Sequence, residues 1–104
     1  MTIVELVAIH PKPGASWADI QKHLKKGGDL VRKSGGENVT TMVGLAAGTE
    51  TGTLSMIVTH ADWTSYGKHQ DALWADPELQ ALIDNPNSPV ARWDNYVLQT
   101  IPDM

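Results

Sequence analysis

The sequence contains no cysteine, which excludes disulfides, thiolate catalysis and any cysteine-ligated zinc. It has no apolar run approaching the roughly 20 residues that a membrane helix needs. Basic residues are few, with 8 Lys and Arg against 12 Asp and Glu and a net charge of −4. No overall basic field therefore points to nucleic acid or to an anionic membrane. A strand pattern begins at once, so no basic leader with an apolar stretch and a cleavage site is expected. The nucleophile elbow, the Walker loop, GxGxxG and HExxH are missing as well. What remains is one domain of 104 residues, 41% hydrophobic and 19% charged, ordinary for a globular chain. A cytoplasmic protein with neither nucleic acid nor membrane as partner is the expectation.

The stretch from Leu54 to Ile83 (LSMIVTHADWTSYGKHQDALWADPELQALI) organises the rest. It reads as a strand, a helix start and an amphipathic helix, and it echoes the beginning of the chain. IVELVAIH leads through a loop into WADIQKH, as LSMIVTH leads through Ala61 and Asp62 into WTSYGKH. All four histidines, His10, His23, His60 and His69, fall in these equivalent places. Two strand–helix units, each followed by another strand, predict a duplicated βαβ architecture.

Taken in order, Thr2 to His10 is nearly continuously apolar apart from Glu5, which suits a strand buried on both faces. Pro11, Pro13 and Gly14 end it. Ser16 is a helix N-cap with Asp19 in the first turn. Trp17, Ile20, Leu24, Gly27, Gly28 and Val31 then form one stripe, with His23 and Leu30 at its edge. The Gly27–Gly28 pair has two readings, close packing on the sheet or room for a ligand. Ser34, Gly35 and Gly36 close the helix. A second strand is predicted over Val39–Ala46, a hairpin loop over Gly48–Gly52, and a third strand over Thr53–His60 with Leu54, Met56 and Val58 on one face. Asp62 caps a second helix whose stripe is Trp63, Tyr66, Gly67, Gln70, Leu73 and Trp74. Asp76-Pro77-Glu78 starts a short segment after a kink. Arg92–Thr100 is the last strand.

The order β-α-β-β-α-β, with right-handed crossovers, predicts an α+β, ferredoxin-like fold. Its antiparallel sheet has the order 4-1-3-2, with two helices on one face. The other face stays open in a monomer, although its strands are apolar on both sides. A second copy of the chain packed sheet to sheet covers it, so a homodimer is expected.

At this point the chain resembles a family. The element order, the proline–glycine step in HPKPGAS and the WADPELQALI segment are similar to the dimeric α/β-barrel superfamily, which includes antibiotic-biosynthesis monooxygenases, stress-responsive barrels and haem-degrading proteins. The resemblance implies a homodimer with a small-molecule pocket between sheet and helices. It also implies activities that range from cofactor-independent oxygenation to none. The haem-degrading branch needs an asparagine on the first strand, a tryptophan near the end of the third and a histidine late in the second helix. Glu5, His60 and the histidine-free segment Leu79–Ile83 stand there instead.

His10 and His60 end antiparallel neighbours at opposite edges, on the order of 20 Å apart, so no shared metal is expected. His60 is the candidate general base near neutral pH, and Tyr66 a candidate proton donor. Gln70, centred on an aromatic stripe, needs partners for both amide ends. Either a sheet side chain satisfies it, or it orients a ligand. Trp63, Trp74 and Met56 are expected as walls of that site. If its face is the dimer interface, Glu5 is read as pairing across it with Arg92, and a catalytic role is the lesser alternative. The functional expectation is a cofactor-independent, monooxygenase-like enzyme for an aromatic or polyketide-type molecule. The alternative is a non-catalytic ligand-binding or stress-related barrel.

Overall fold

A computed structural model describes residues 2–45 and 52–104. The elements are β1 (Ile3–Pro11), α1 (Trp17–Lys33), β2 (Glu37–Val43), β3 (Leu54–His60), α2 (Trp63–Ala75), α3 (Pro77–Ile83) and β4 (Val90–Gln99). The four strands form one antiparallel sheet in the order β2-β3-β1-β4. That is the expected 4-1-3-2 order read from the other edge. Of the predicted hairpin region, Ala46 and residues 48–51 lie outside the described residues.

Local chemistry sets the helix starts. The Asp19 amide donates to Ser16 Oγ, the Ser65 amide to Asp62 Oδ1 and the Glu78 amide to Asp76 Oδ1, each satisfying an amide that the helix itself leaves free. Asp76 both ends α2 and caps α3, with Pro77 in the first turn of α3. This is the predicted kink. Several strand limits differ from expectation, and two of them have a local cause. Pro11 remains in β1, where the register shifts after His10 and a missing donor is tolerated. β2 starts at Glu37 through an irregularity at which Asn38 has a φ of 50°, a value that asparagine tolerates.

Strand parity decides what faces what. Ile3, Glu5, Val7 and Ile9 pair with His60, Val58, Met56 and Leu54 on the helix-covered side. Val4, Leu6, Ala8 and His10 look to the open side. They are half-buried in the single chain except for Ala8. The sheet's core joins Ile9, Leu54, Met56 and Val58 to Ile20 and Leu24 of α1 and to Val90. A second cluster, Leu30, Leu73 and Leu79 with Leu82, ties the three helices together. Three of the four tryptophans sit at the margins of this packing, while Trp93 packs against the core. Trp17 is 53% exposed, Trp63 49% and Trp74 54%, so the buried stripe of α2 is carried by His69 and Leu73 instead.

Candidate functional site

Glu5 lies on the helix-covered face, not at the open face where its pairing with Arg92 was expected. Arg92 instead contacts Asp94 and His10 on the opposite side of the sheet. On β1, Glu5 stands opposite Val58, and Ile3 stands opposite His60. Glu5 and His60 are thus diagonal cross-strand neighbours, within reach for long side chains. His60 Nε2 is 2.6 Å from Glu5 Oε1, and both residues are buried.

Helix α2 supplies the rest. Asp62 fixes its start, and the turn geometry aims His69, three residues after Tyr66 and four before Leu73, at the sheet. His69 Nε2 lies 3.3 Å from Glu5 Oε1, and its Nδ1 lies 3.3 Å from the Ser34 carbonyl oxygen. The rings of His60 and His69 are 4.7 Å apart, and Tyr66 stands edge-on to His60 at 5.4 Å. Gln70 donates from Nε2 to Glu5 Oε2 at 3.0 Å and accepts from Trp74 Nε1 at 2.9 Å. Both amide ends therefore have protein partners, as a desolvated amide requires.

Burial pushes the Glu5 carboxyl up. The facing His69 and His60 outweigh that effect and hold it below the ordinary carboxylate range. Burial, with the Glu5 charge adding to it, pushes the Tyr66 hydroxyl up. A cavity of about 340 Å³ opens beside this cluster. Met56 and Val58 of the sheet core form one wall, while Leu73, Leu79 and Leu82 of the inter-helix cluster form another. Glu5, His69 and Gln70 gather at its polar end, and Gly27 and Trp74 also border it. A mostly apolar hollow with a few convergent polar groups is the usual form of a small-molecule site.

Of the residues singled out from sequence, Met56, Gln70 and Trp74 line this cavity. His60 is set behind Glu5. Tyr66 packs against His60 and Trp63, and Trp63 Nε1 donates to Gln99 Oε1 at 3.0 Å. His10 is on the other side of the sheet, 2.9 Å from Asp94 Oδ2. The histidine echo is thus only half reproduced in space. His23 and His69 both face the sheet, His23 against Trp93 at 5.5 Å, but His10 and His60 have opposite strand parity. Sequence reasoning left Glu5 and His69 out of the site. The signal for His69 was its place one turn from both Tyr66 and Leu73. For Glu5 it was parity with Ile3 and Ile9.

No protein-family model matches the chain, and neither does any curated protein. Solved structures do. An uncharacterized NIPSNAP-like domain protein from Burkholderia xenovorans superposes with a TM-score of 0.74 at 17% identity, over 99% of this chain and 88% of that one. A dabb family protein with a ferredoxin-like fold from Mesorhizobium loti gives 0.71 at 13% identity, over 96% and 97%. At such identities the likeness establishes the ferredoxin-like fold. Among the described residues, no helix is long and apolar enough to cross a membrane.

Proposed function

We propose that this protein binds a small, largely apolar molecule of aromatic or polyketide type in the cavity between sheet and helices. The observation that carries the reading is the cavity itself, about 340 Å³ with Glu5, His69 and Gln70 converging at one end. That volume suits a molecule of two or three fused rings. Monooxygenase-like chemistry is the enzyme reading, in which a substrate hydroxyl is held at the polar end and the rings lie against Met56 and Leu73. The non-catalytic binding protein is the second reading. It draws on Gln70, whose amide is already engaged by Glu5 and Trp74.

Calorimetric titration with 1-naphthol tests both. Saturable binding of one molecule per chain is expected, weakened about fivefold in Gln70→Leu, the worth of one hydrogen bond. Oxygen uptake above the protein-free rate supports the enzyme reading, and binding without uptake supports the second. Failure to bind 1-naphthol or a larger polyphenol would remove the cavity from consideration.

The homodimer belongs to the same proposal. Leu6, Ile57, Tyr96 and Leu98 share the open face of the sheet by register, and Tyr96 and Leu98 are 54% and 51% exposed. A second copy covers this face through a self-complementary contact. Sedimentation equilibrium at micromolar concentration is expected to give about twice the 11.3 kDa chain mass. A monomer at that concentration would leave the apolar face without its partner and end the barrel reading.

A further inference from the structure

We propose that Glu5, His60 and His69 bind one divalent first-row transition-metal ion, such as zinc, at the polar end of the cavity. Three elements bring the donors together. Glu5 comes from β1, His60 from β3 and His69 from α2, and one ligand atom of each lies within 4.8 Å of the others. All three residues are buried.

The hydrogen bonding of His69 points to a cation. Its Nδ1 faces the Ser34 carbonyl oxygen at 3.3 Å. A carbonyl only accepts, so Nδ1 carries the hydrogen. Nε2 of the neutral ring then presents a lone pair to Glu5 Oε1 at 3.3 Å. It is buried and has no hydrogen-bond partner among the described residues. Were that ring neutral, two lone pairs would face each other in a dry site, so a positive charge, on the ring or between the two atoms, belongs there. A carbonyl on the far nitrogen is also the arrangement that orients metal-bound imidazoles.

The spacing agrees. Ligand atoms about 2.1 Å from an ion lie about 3.0–3.4 Å apart at tetrahedral or octahedral angles. The Glu5–His69 pair is already at 3.3 Å. The His60–Glu5 pair, at 2.6 Å, opens by about half an ångström when the ion displaces the proton the two now share. Two imidazoles and one carboxylate select zinc, iron, cobalt or nickel over magnesium and calcium, which take oxygen ligands. Three protein ligands leave a coordination position open. Glu5 and His69 also line the cavity, so that position is available to a water or to a hydroxyl of a bound molecule.

The proposal rests on the same cavity as the ligand reading, but the ion's binding is measured separately from that of 1-naphthol. The chain is stripped with EDTA and titrated with Co²⁺, followed by visible d–d absorption. One equivalent per chain is expected, displaced by Zn²⁺. His69→Gln and the isosteric Glu5→Gln are each expected to weaken binding at least about tenfold, while His10→Gln leaves it unchanged. Should either buried variant fail to fold, the unaltered protein decides. With ¹⁵N-labelled histidine, Zn²⁺ is expected to shift the imidazole resonances of His60 and His69 and not those of His10 and His23. No saturable Co²⁺ spectrum, or shifts confined to His10 and His23, would overturn the proposal and leave an imidazolium at His69 as the cation.

Discussion

Gly36→Ala is expected to lower the unfolding free energy by about 3 kcal/mol, the upper end of the usual cost of overpacking. Gly36 is buried where α1 hands the chain to β2. A Cβ there would stand 2.7 Å from Val31 Cγ1, 2.8 Å from Val58 Cγ1 and 3.0 Å from the Val31 carbonyl oxygen. Neither neighbour yields easily. Both valines are stiff at χ1, and that carbonyl already accepts the Gly36 amide at 2.9 Å. Gly27→Ala provides the contrast. Its Cβ would meet only Leu82 Cδ2 at an ordinary 3.7 Å, so the helix is expected to gain about 0.5–1 kcal/mol. Urea unfolding of the two variants checks both signs. An unchanged midpoint for Gly36→Ala would mean that β2 draws away from α1 at no cost.

The same two glycines mark what could and could not be read from the chain. Gly27 and Gly28 stood out because they interrupt a helical stripe, and close packing on the sheet was one reading of them. The closest approach is at Gly36 instead, in a segment read only as a helix ending. Gly35, with a φ of 105°, is the residue that needs the left-handed region there. Caps and periods are local, so Ser16, Asp62, Asp76 and the sheet order were legible. Which sheet face the helices cover is a non-local fact, and a strand apolar on both sides does not disclose it. Glu5 was therefore put at an interface when parity with Ile3 and Ile9 places it inside. On α2, the bulk of Trp63 and Trp74 drew the apparent stripe toward the helix margins. The actual inward face passes through His69, about 100° of helix rotation from Gln70. A buried carboxylate with its imidazoles breaks the hydrophobic pattern, and such breaks are where pattern reading fails and functional sites are found.

His60→Leu is expected to cost about 3–5 kcal/mol, the range seen when a buried charge is left without its partner. Its shape is apolar and similar in length, so the loss is not mainly a cavity. The change strips Glu5 Oε1 of its contact at 2.6 Å, leaving the carboxylate with Gln70 and a misaligned His69. Glu5→Leu alone instead strands the neutral donors of His60 and Gln70, at about 1–3 kcal/mol for each. The double variant Glu5→Leu/His60→Leu has no buried charge left to strand. Its loss should fall short of the two single losses added together by about 2 kcal/mol or more. Urea unfolding in EDTA at pH 7 measures the cycle free of bound ions. Acid should narrow the gap. Glu5 in the unaltered protein is held below the ordinary carboxylate range, so its contribution is full above that range and is lost as pH falls through the lowered native value. In His60→Leu the carboxyl loses a group that holds it down and takes up its proton at higher pH, which relieves the stranded charge. The penalty measured at pH 4 should therefore be smaller than at pH 7. Additive losses, or a penalty that does not change with pH, would mean that Glu5 carries no charge that His60 compensates.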